Sequence, residues 1–110
     1  MTIKDLVKKC HKLAVEKGFW GNYAQKMKLY NGYWWKDRNK AELLMLIVSE
    51  LGEACEALRN NDIKNFKEEI ADTAIRLADL CGGLDIDLEK EITKKIKKNI
   101  KRPYKHGKEF

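Results

Sequence analysis

Two pairs of acidic residues stand inside the two most apolar segments of this 110-residue chain. Glu50 and Glu53 lie in the segment 41–59, and Glu69 and Asp72 lie in the segment 63–81. Residues three apart share one face of a helix, so each pair would present two carboxylates side by side. A buried carboxylate costs several kcal/mol unless it is paired with a cation or coordinates a metal. The spacing therefore indicates either a divalent metal site or a network of ion pairs.

Helical periodicity directs the first pair toward the core. At about 100° per residue, the apolar stripe of the segment 41–59 contains Leu43, Leu46, Ile47, Ala54 and Ala57. Glu50 falls in the middle of this stripe and Glu53 near its edge, although acidic residues are rare at core positions without a partner. The segment 63–81 is apolar nearly all round, and its one polar sector carries Glu69, Asp72, Arg76 and Asp79. These positions favour a metal site.

A structural network of ion pairs is the alternative interpretation. Acidic residues on helices most often form solvated faces with basic residues one turn away. Arg76 lies close enough in sequence to neutralise Glu69 or Asp72 in this way. Spacing alone leaves both interpretations equally open, and the position of Glu50 in an apolar stripe favours the metal.

The remaining patterns predict an all-α chain with no internal repeat. The predicted helices cover residues 2–18, 38–59, 63 to about 80, and a fourth helix from a cap at Asp85 or Asp87 to Pro103. Gly18 and the Gly82–Gly83 pair are predicted helix ends, and Asp62 is a predicted N-cap. The segment 19–37 is irregular and aromatic. We therefore expect one domain, residues 1–110, folded as a four-helix antiparallel bundle.

The short turn near residue 61 sets the relation between the two acidic pairs. In an antiparallel hairpin, positions equidistant from the turn face each other, so Glu53 mirrors Glu69 and Glu50 mirrors Asp72. All four carboxylates are then expected at one level. Oxygen ligands of this kind suit Mg²⁺ or Mn²⁺, whereas zinc is disfavoured because no cluster of His or Cys lies nearby.

Composition limits the cellular location and the kinds of partner that are expected for this chain. Hydrophobic residues make up 44% of the chain, which is enough for one compact core. No stretch is long and apolar enough to span a membrane, and the N-terminus has no apolar signal core. Three widely spaced cysteines, Cys10, Cys55 and Cys81, are typical of buried free thiols in a reducing compartment. We expect a cytoplasmic protein without a membrane partner.

The basic residues are concentrated at the C-terminal end. Residues 90–110 contain nine Lys or Arg and two acidic residues, a net charge of +7. A basic arm near an acidic cluster suits a phosphate ligand held between metal and ammonium groups. The alternatives are a solvated helix end and a nucleic-acid-binding module. Inward carboxylates would repel a nucleic-acid backbone, so no stable nucleic-acid complex is expected.

Two motifs in this chain resemble a known family. ELGE (50–53) followed by EEIAD (68–72) resembles the Glu-x-x-Glu … Glu-x-x-Asp signature of the MazG-like all-α nucleotide pyrophosphohydrolases. KIKKNIKRPYKHGK (95–108) is similar to the closing Lys-x-x-x-Asn-x-x-Arg-x-Tyr stretch of that family. The resemblance extends from the first helix to the tail. It implies hydrolysis of a nucleoside triphosphate, ribo or deoxy, between the α- and β-phosphates to give a monophosphate and pyrophosphate.

The resemblance also implies roles for individual residues. Mg²⁺ or Mn²⁺ would be held by Glu50, Glu53, Glu69 and Asp72, and Glu53 would activate the water. Phosphate or sugar would be contacted by Lys95, Asn99, Arg102 and Tyr104. Homodimers or homotetramers with sites near the subunit interface are implied as well, and the apolar third helix needs such cover. A relative that binds a nucleotide without cleaving it is the alternative.

Aromatic residues of the irregular segment are candidates for contact with a nucleobase. Trp20 or Trp34 could stack on the base, for about 1–3 kcal/mol. The alternative is that these rings pin a long loop onto the bundle. Stacking discriminates poorly among bases, so this pattern predicts a nucleotide without predicting the base.

Overall fold

The computed structural model describes residues 1–20 and 40–109. These residues form four helices, α1 (Ile3–Glu16), α2 (Lys40–Arg59), α3 (Ile63–Gly83) and α4 (Leu88–Ile100), followed by a 3₁₀ turn, Tyr104–Gly107. No strand occurs within the described ranges, and the predicted all-α fold is confirmed. Most of the predicted aromatic segment, including Trp34, lies outside the described residues.

Helices α2 and α3 form an antiparallel hairpin, which is the most extensive helix contact. The chain reverses through Asn61, whose φ is +55°. Asp62 then caps α3, because its Oδ1 accepts a hydrogen bond from the backbone N–H of Asn65 at 3.0 Å. This is the N-cap that the sequence predicted, and the short turn holds the two acidic pairs opposite each other.

Helix α1 packs along α3 and contacts α4. It begins with a capping box in which Thr2 and Asp5 bond each other's backbone N–H, at 3.0 and 3.1 Å. It ends before Gly18, whose φ of +83° is favoured by glycine. The predicted end of the first helix is therefore confirmed.

The glycine pair in α3 has a packing role in addition to its predicted place at the helix end. The helix continues through Gly82 and Gly83 and ends at Gly83. A Cβ at Gly82 would lie 2.5 Å from the Cβ of His11, and a Cβ at Gly83 would overlap the Trp20 ring. These glycines permit close packing of α1 and Trp20 on α3. The helix was predicted to run to about Leu80 with the glycine pair terminating it, and it ends at Gly83, three residues later.

The buried core of the described residues centres on three side chains. Trp20, Leu43 and Leu80 form its buried centre, with Ala14, Ile47 and Leu84 packed around them. Helix α4 is capped by Asp87 and is half-buried at Leu88 and Ile92, whereas Ile96 and Ile100 are exposed. Cys10 and Cys81 are buried free thiols as predicted, but Cys55 is exposed.

One side of the α2–α3 hairpin is apolar and uncovered. It consists of Leu44, Val48, Leu51 and Leu58 on α2 and of Ile63, Ile70 and Leu77 on α3, each at least 40% exposed. We call this surface the open apolar face. The sequence predicted a third helix surrounded by core, and within one chain α3 lacks that cover. No helix of the described part is long and apolar enough to cross a membrane.

Candidate functional site

Three of the predicted carboxylates converge between α2 and α3. One oxygen each of Glu50, Glu69 and Asp72 lies within 4.8 Å of the others. Glu50 is buried, Glu69 is half-buried and Asp72 is exposed, so the cluster reaches from the core to solvent. These acids were predicted to face each other because they lie at equal distances from the turn, and the register of the hairpin does bring them together.

Glu53 stands at the edge of this cluster. Its side chain is exposed, and its carboxylate is close enough to influence both Glu50 and Glu69. The four acidic residues thus share one level of the hairpin. Their role as metal ligands, and that of Glu53 as base, stay predictions.

Among the described residues, Arg76 partly balances these acids. Arg76 Nε donates a hydrogen bond to Glu50 Oε1 at 2.7 Å. This bond lowers the pKa of Glu50 against the opposing effect of burial. The sequence suggested that Arg76 pairs with Glu69 or Asp72 of its own helix. The structure directs it across the hairpin to α2, where Glu50 is the most buried of the acids.

In Glu69, the ionised form is disfavoured by its surroundings. Proximity of the Glu50 carboxylate, partial burial and the Glu53 charge raise the pKa of Glu69 to about 7. Its Oε2 atom is buried without a hydrogen-bond partner among the described residues. In the part of the chain that the structure describes, the carboxylates outnumber the one cation bound to them and one oxygen is unpaired, which is the setting that a divalent cation requires. The donor set therefore fits Mg²⁺ or Mn²⁺.

A cavity of about 390 Å³ opens beside the carboxylates, between α1, α2 and α3. Its walls are mostly apolar and include Cys10, Leu13, Ala14, Leu43, Leu46, Ile75 and Leu80. Glu50, Asp72 and Arg76 line it at one part, and Asp79 lines it farther along α3. An apolar cleft with a few converging polar groups is the usual form of a small-molecule site.

Asp79 is held by two side chains from the N-terminal part of the chain. His11 Nδ1 and Trp20 Nε1 each lie 2.8 Å from Asp79 Oδ1. The two rings also contact each other edge to face, with centroids 5.1 Å apart. Local sequence patterns did not reveal this group, because its members are 59 and 68 residues apart. The only available signal was the place of Asp79 in the polar sector of α3.

Trp20 has a structural role in this arrangement. Its side chain is only 3% exposed and belongs to the core, and its N–H is bonded to Asp79. This placement favours a structural role for the ring. Stacking of a base on Trp20 or Trp34 stays a prediction.

The predicted phosphate-binding residues lie elsewhere in the chain. Lys95, Asn99, Arg102 and Tyr104 are all exposed, on or just after α4, whose extensive contact is with α1. None of them belongs to the carboxylate cluster or lines the cavity. Within one chain the structure does not bring this tail to the acids, so its predicted contact with substrate is untested.

Comparisons with known proteins give one match. The family model for the MazG nucleotide pyrophosphohydrolase domain matches residues 38–106. This range contains the hairpin with its four acids, α4 and most of the basic tail. Neither the curated proteins nor the solved structures gave a significant match.

Proposed function

The chain belongs to the MazG nucleotide pyrophosphohydrolase domain family, and we propose that it is a metal-dependent enzyme that hydrolyses a nucleoside or deoxynucleoside triphosphate between its α- and β-phosphates. The products are a nucleoside monophosphate and pyrophosphate. The observation that carries this proposal is the convergence of Glu50, Glu69 and Asp72 within 4.8 Å beside a cavity.

Glu50, Glu69 and Asp72, with Glu53 at the edge, would hold Mg²⁺ or Mn²⁺. The unpaired Glu69 Oε2 and the raised pKa of Glu69 support this assignment, because both are relieved by a cation. When bound, the metal would stabilise negative charge on the phosphate oxygens and make a bound water more acidic.

Glu53 is the residue that we assign to proton transfer. It is exposed, so it can reach solvent water, and it stands at the edge of the cluster rather than in its centre. It would accept the proton of the water that attacks phosphorus, as the pyrophosphate leaves. General-base catalysis of this kind contributes about 10²–10⁴-fold to a rate.

Arg76 supplies positive charge on the cavity side of the cluster. Its Nε is bound to Glu50, and its side chain is 39% exposed, so its terminal nitrogens can meet a phosphate in the cavity. From its spacing in the sequence, Arg76 was predicted only as an ion-pair partner. We propose that it contacts the triphosphate while it orients Glu50.

A second copy of the chain would complete the site. The open apolar face gives two protomers a surface to share, and an exposed apolar surface of this extent usually marks an interface. The basic tail, with Lys95, Asn99, Arg102 and Tyr104, would then contact phosphate or sugar in a partner's site. A homodimer, or a homotetramer built from dimers, is proposed on this ground.

Pyrophosphate release tests the proposed function. The purified chain is incubated with the canonical deoxynucleoside and nucleoside triphosphates in Mg²⁺ or Mn²⁺, and pyrophosphate and monophosphate are quantified. We expect equimolar products, complete loss in EDTA, and a rate at least 100-fold lower for Glu53→Gln, as expected for removal of a general base.

Glu56→Gln is the matched control. Glu56 is an exposed glutamate of the same helix that lies outside the carboxylate cluster, so its substitution should leave the rate unchanged. Release of inorganic phosphate in place of pyrophosphate would contradict the assigned bond. Tight nucleotide binding without turnover would select the noncatalytic alternative, and absence of heat with either metal salt would exclude the metal site.

A further inference from the structure

Asp79 lines the cavity but stands apart from the metal-binding carboxylates. It follows Asp72 by seven residues, or two turns of α3, which places it about 10 Å farther along the helix axis. Asp79 and Asp72 both line the cavity. A nucleotide bound with its phosphates at Asp72 would extend its base in one of two directions, and the cavity leads toward Asp79. This step rests on the proposed function.

The hydrogen bonds of Asp79 are unevenly divided between its two oxygens. His11 Nδ1 and Trp20 Nε1 both approach Oδ1, at 2.8 Å each. A carboxylate oxygen can only accept, so both nitrogens present hydrogens to it. Oδ2 accepts no hydrogen bond from the described part of the chain. The carboxylate is therefore fixed in orientation by one oxygen and retains a second acceptor.

A fixed acceptor in an apolar cavity selects ligands that present a donor. Leaving such a group unpaired in a complex costs affinity, so a base without a suitable donor is rejected. The amino group of cytosine or adenine projects from the edge of the ring and supplies that donor. The N3–H of uracil lies between two carbonyl oxygens, which a carboxylate would repel.

We propose that Asp79 determines base specificity and that its Oδ2 accepts a hydrogen bond from the exocyclic amino group of the substrate's base. His11 and Trp20 are positioning residues, which hold the carboxylate toward the cavity. The favoured substrate class is a triphosphate of a base whose amino group replaces the O4 or O6 carbonyl, that is cytosine or adenine. Uracil and hypoxanthine, which carry a carbonyl at the corresponding position, are disfavoured.

Two matched pairs of substrates test this proposal with the unaltered chain. dCTP is compared with dUTP, and dATP with dITP, because the members of each pair differ at the amino or carbonyl position. We expect kcat/KM to favour the amino member at least about tenfold, the effect of one hydrogen bond to a charged group. A ratio near one in both pairs would overturn the proposal.

Asp79→Asn gives a sharper comparison, since the amide is isosteric and can keep its oxygen toward His11 and Trp20. Its NH₂ group would then face the base as a donor. The dCTP to dUTP ratio should fall at least tenfold, mainly through KM, with kcat for the better substrate little changed. A lower melting temperature with an unchanged ratio would show that Asp79 only supports packing.

Binding measurements separate this proposal from the proposed function. Calorimetry with dCMP and dUMP in Mg²⁺ requires no turnover. If no triphosphate is cleaved but dCMP binds at least tenfold tighter than dUMP, the base site stands and the enzymatic proposal fails. If pyrophosphate is released with equal efficiency from the two members of each pair, the enzymatic proposal is supported and the proposed role of Asp79 is refuted. Equal binding of both monophosphates, or binding of neither, also counts against Asp79.

Discussion

Within the described ranges, Arg76 and Glu50 form the oppositely charged pair at the centre of the acidic cluster. The Arg76 Nε to Glu50 Oε1 distance is 2.7 Å, and the Glu50 side chain is 11% exposed. Removing the guanidinium would leave a nearly buried carboxylate among other acids, which is costly without a metal. The pair therefore stabilises the metal-free fold.

Arg76→Gln should destabilise the metal-free chain by about 1–3 kcal/mol, the range for lost hydrogen bonds to charged groups. Urea unfolding in EDTA measures this loss, and saturating Mg²⁺ should recover much of it. Arg59→Gln is the control, because Arg59 forms a solvent-exposed pair with Glu56 at 4.0 Å, which is worth less than about 1 kcal/mol. Equal losses in the two variants would contradict a special role for Arg76.

Glu69 makes the stability of the metal-free chain depend on pH. Its pKa rises from the ordinary 4.5 to about 7 in the fold, so between these values the folded chain holds more protons than the unfolded chain. The free energy of unfolding must therefore fall as pH rises through this window. In EDTA, the melting temperature of the wild-type chain should therefore decline as pH rises through this window. Glu69→Gln, which has no carboxyl group to titrate, should show a smaller decline.

Metal binding should show the opposite trend with pH. A cation needs the deprotonated form of Glu69, so its affinity should increase as pH rises toward and past about 7. Calorimetric titration of the wild-type chain with Mn²⁺ at several pH values measures this. An affinity that is flat over that range would mean that Glu69 is not a ligand.

Single site residues were predictable from the sequence where the signal was periodic. Glu50 interrupts an apolar stripe, and both its burial and its closeness to Glu69 and Asp72 follow from helix geometry and a short turn. The contacts of Asp79 with His11 and Trp20 were not predictable in this way. They join parts of the chain whose relative position depends on how α1 packs. That position is not encoded in any local periodicity of the sequence.

At the scale of elements, two glycines decide how closely α1 approaches α3. The sequence pattern gave the helices and their caps at Asp62 and Asp87, because these depend on neighbours within one turn. It predicted Gly82 and Gly83 as a helix end, which lies at Gly83, but not their close packing, because that depends on His11 and Trp20 on the other side of the interface.

Gly83→Ala should destabilise the fold by about 1–3 kcal/mol, since the added methyl group would overlap the Trp20 ring and overpacking has this cost. Gly52→Ala is the matched control in α2. A Cβ there meets nothing within 4 Å, so the better helix propensity of alanine should stabilise the chain by up to about 1 kcal/mol. Urea unfolding measures the change in the free energy of unfolding for each variant, which should be opposite in sign. Stabilisation by Gly83→Ala would contradict the close packing.

At the scale of the whole molecule, the open apolar face predicts self-association. Leu51 and Ile70 lie within it, 46% and 45% exposed. Leu51→Lys and Ile70→Lys should convert the proposed dimer to a monomer in sedimentation or light scattering at micromolar concentration, while helical content is kept. Lys64→Glu, an exposed change on α3 outside this face, should leave the mass unchanged. A wild-type monomer under these conditions would refute the prediction.

Cys55 continues the spacing of Leu44, Val48, Leu51 and Leu58 along α2, and its thiol is exposed. Burial raises the pKa of the Cys10 and Cys81 thiols, which keeps them unreactive. The chain thus carries a natural attachment point for a fluorophore or spin label, with no engineering. Alkylation kinetics at this thiol would report in real time whether neighbouring molecules shield it, and a label there would follow how nucleotide changes that shielding.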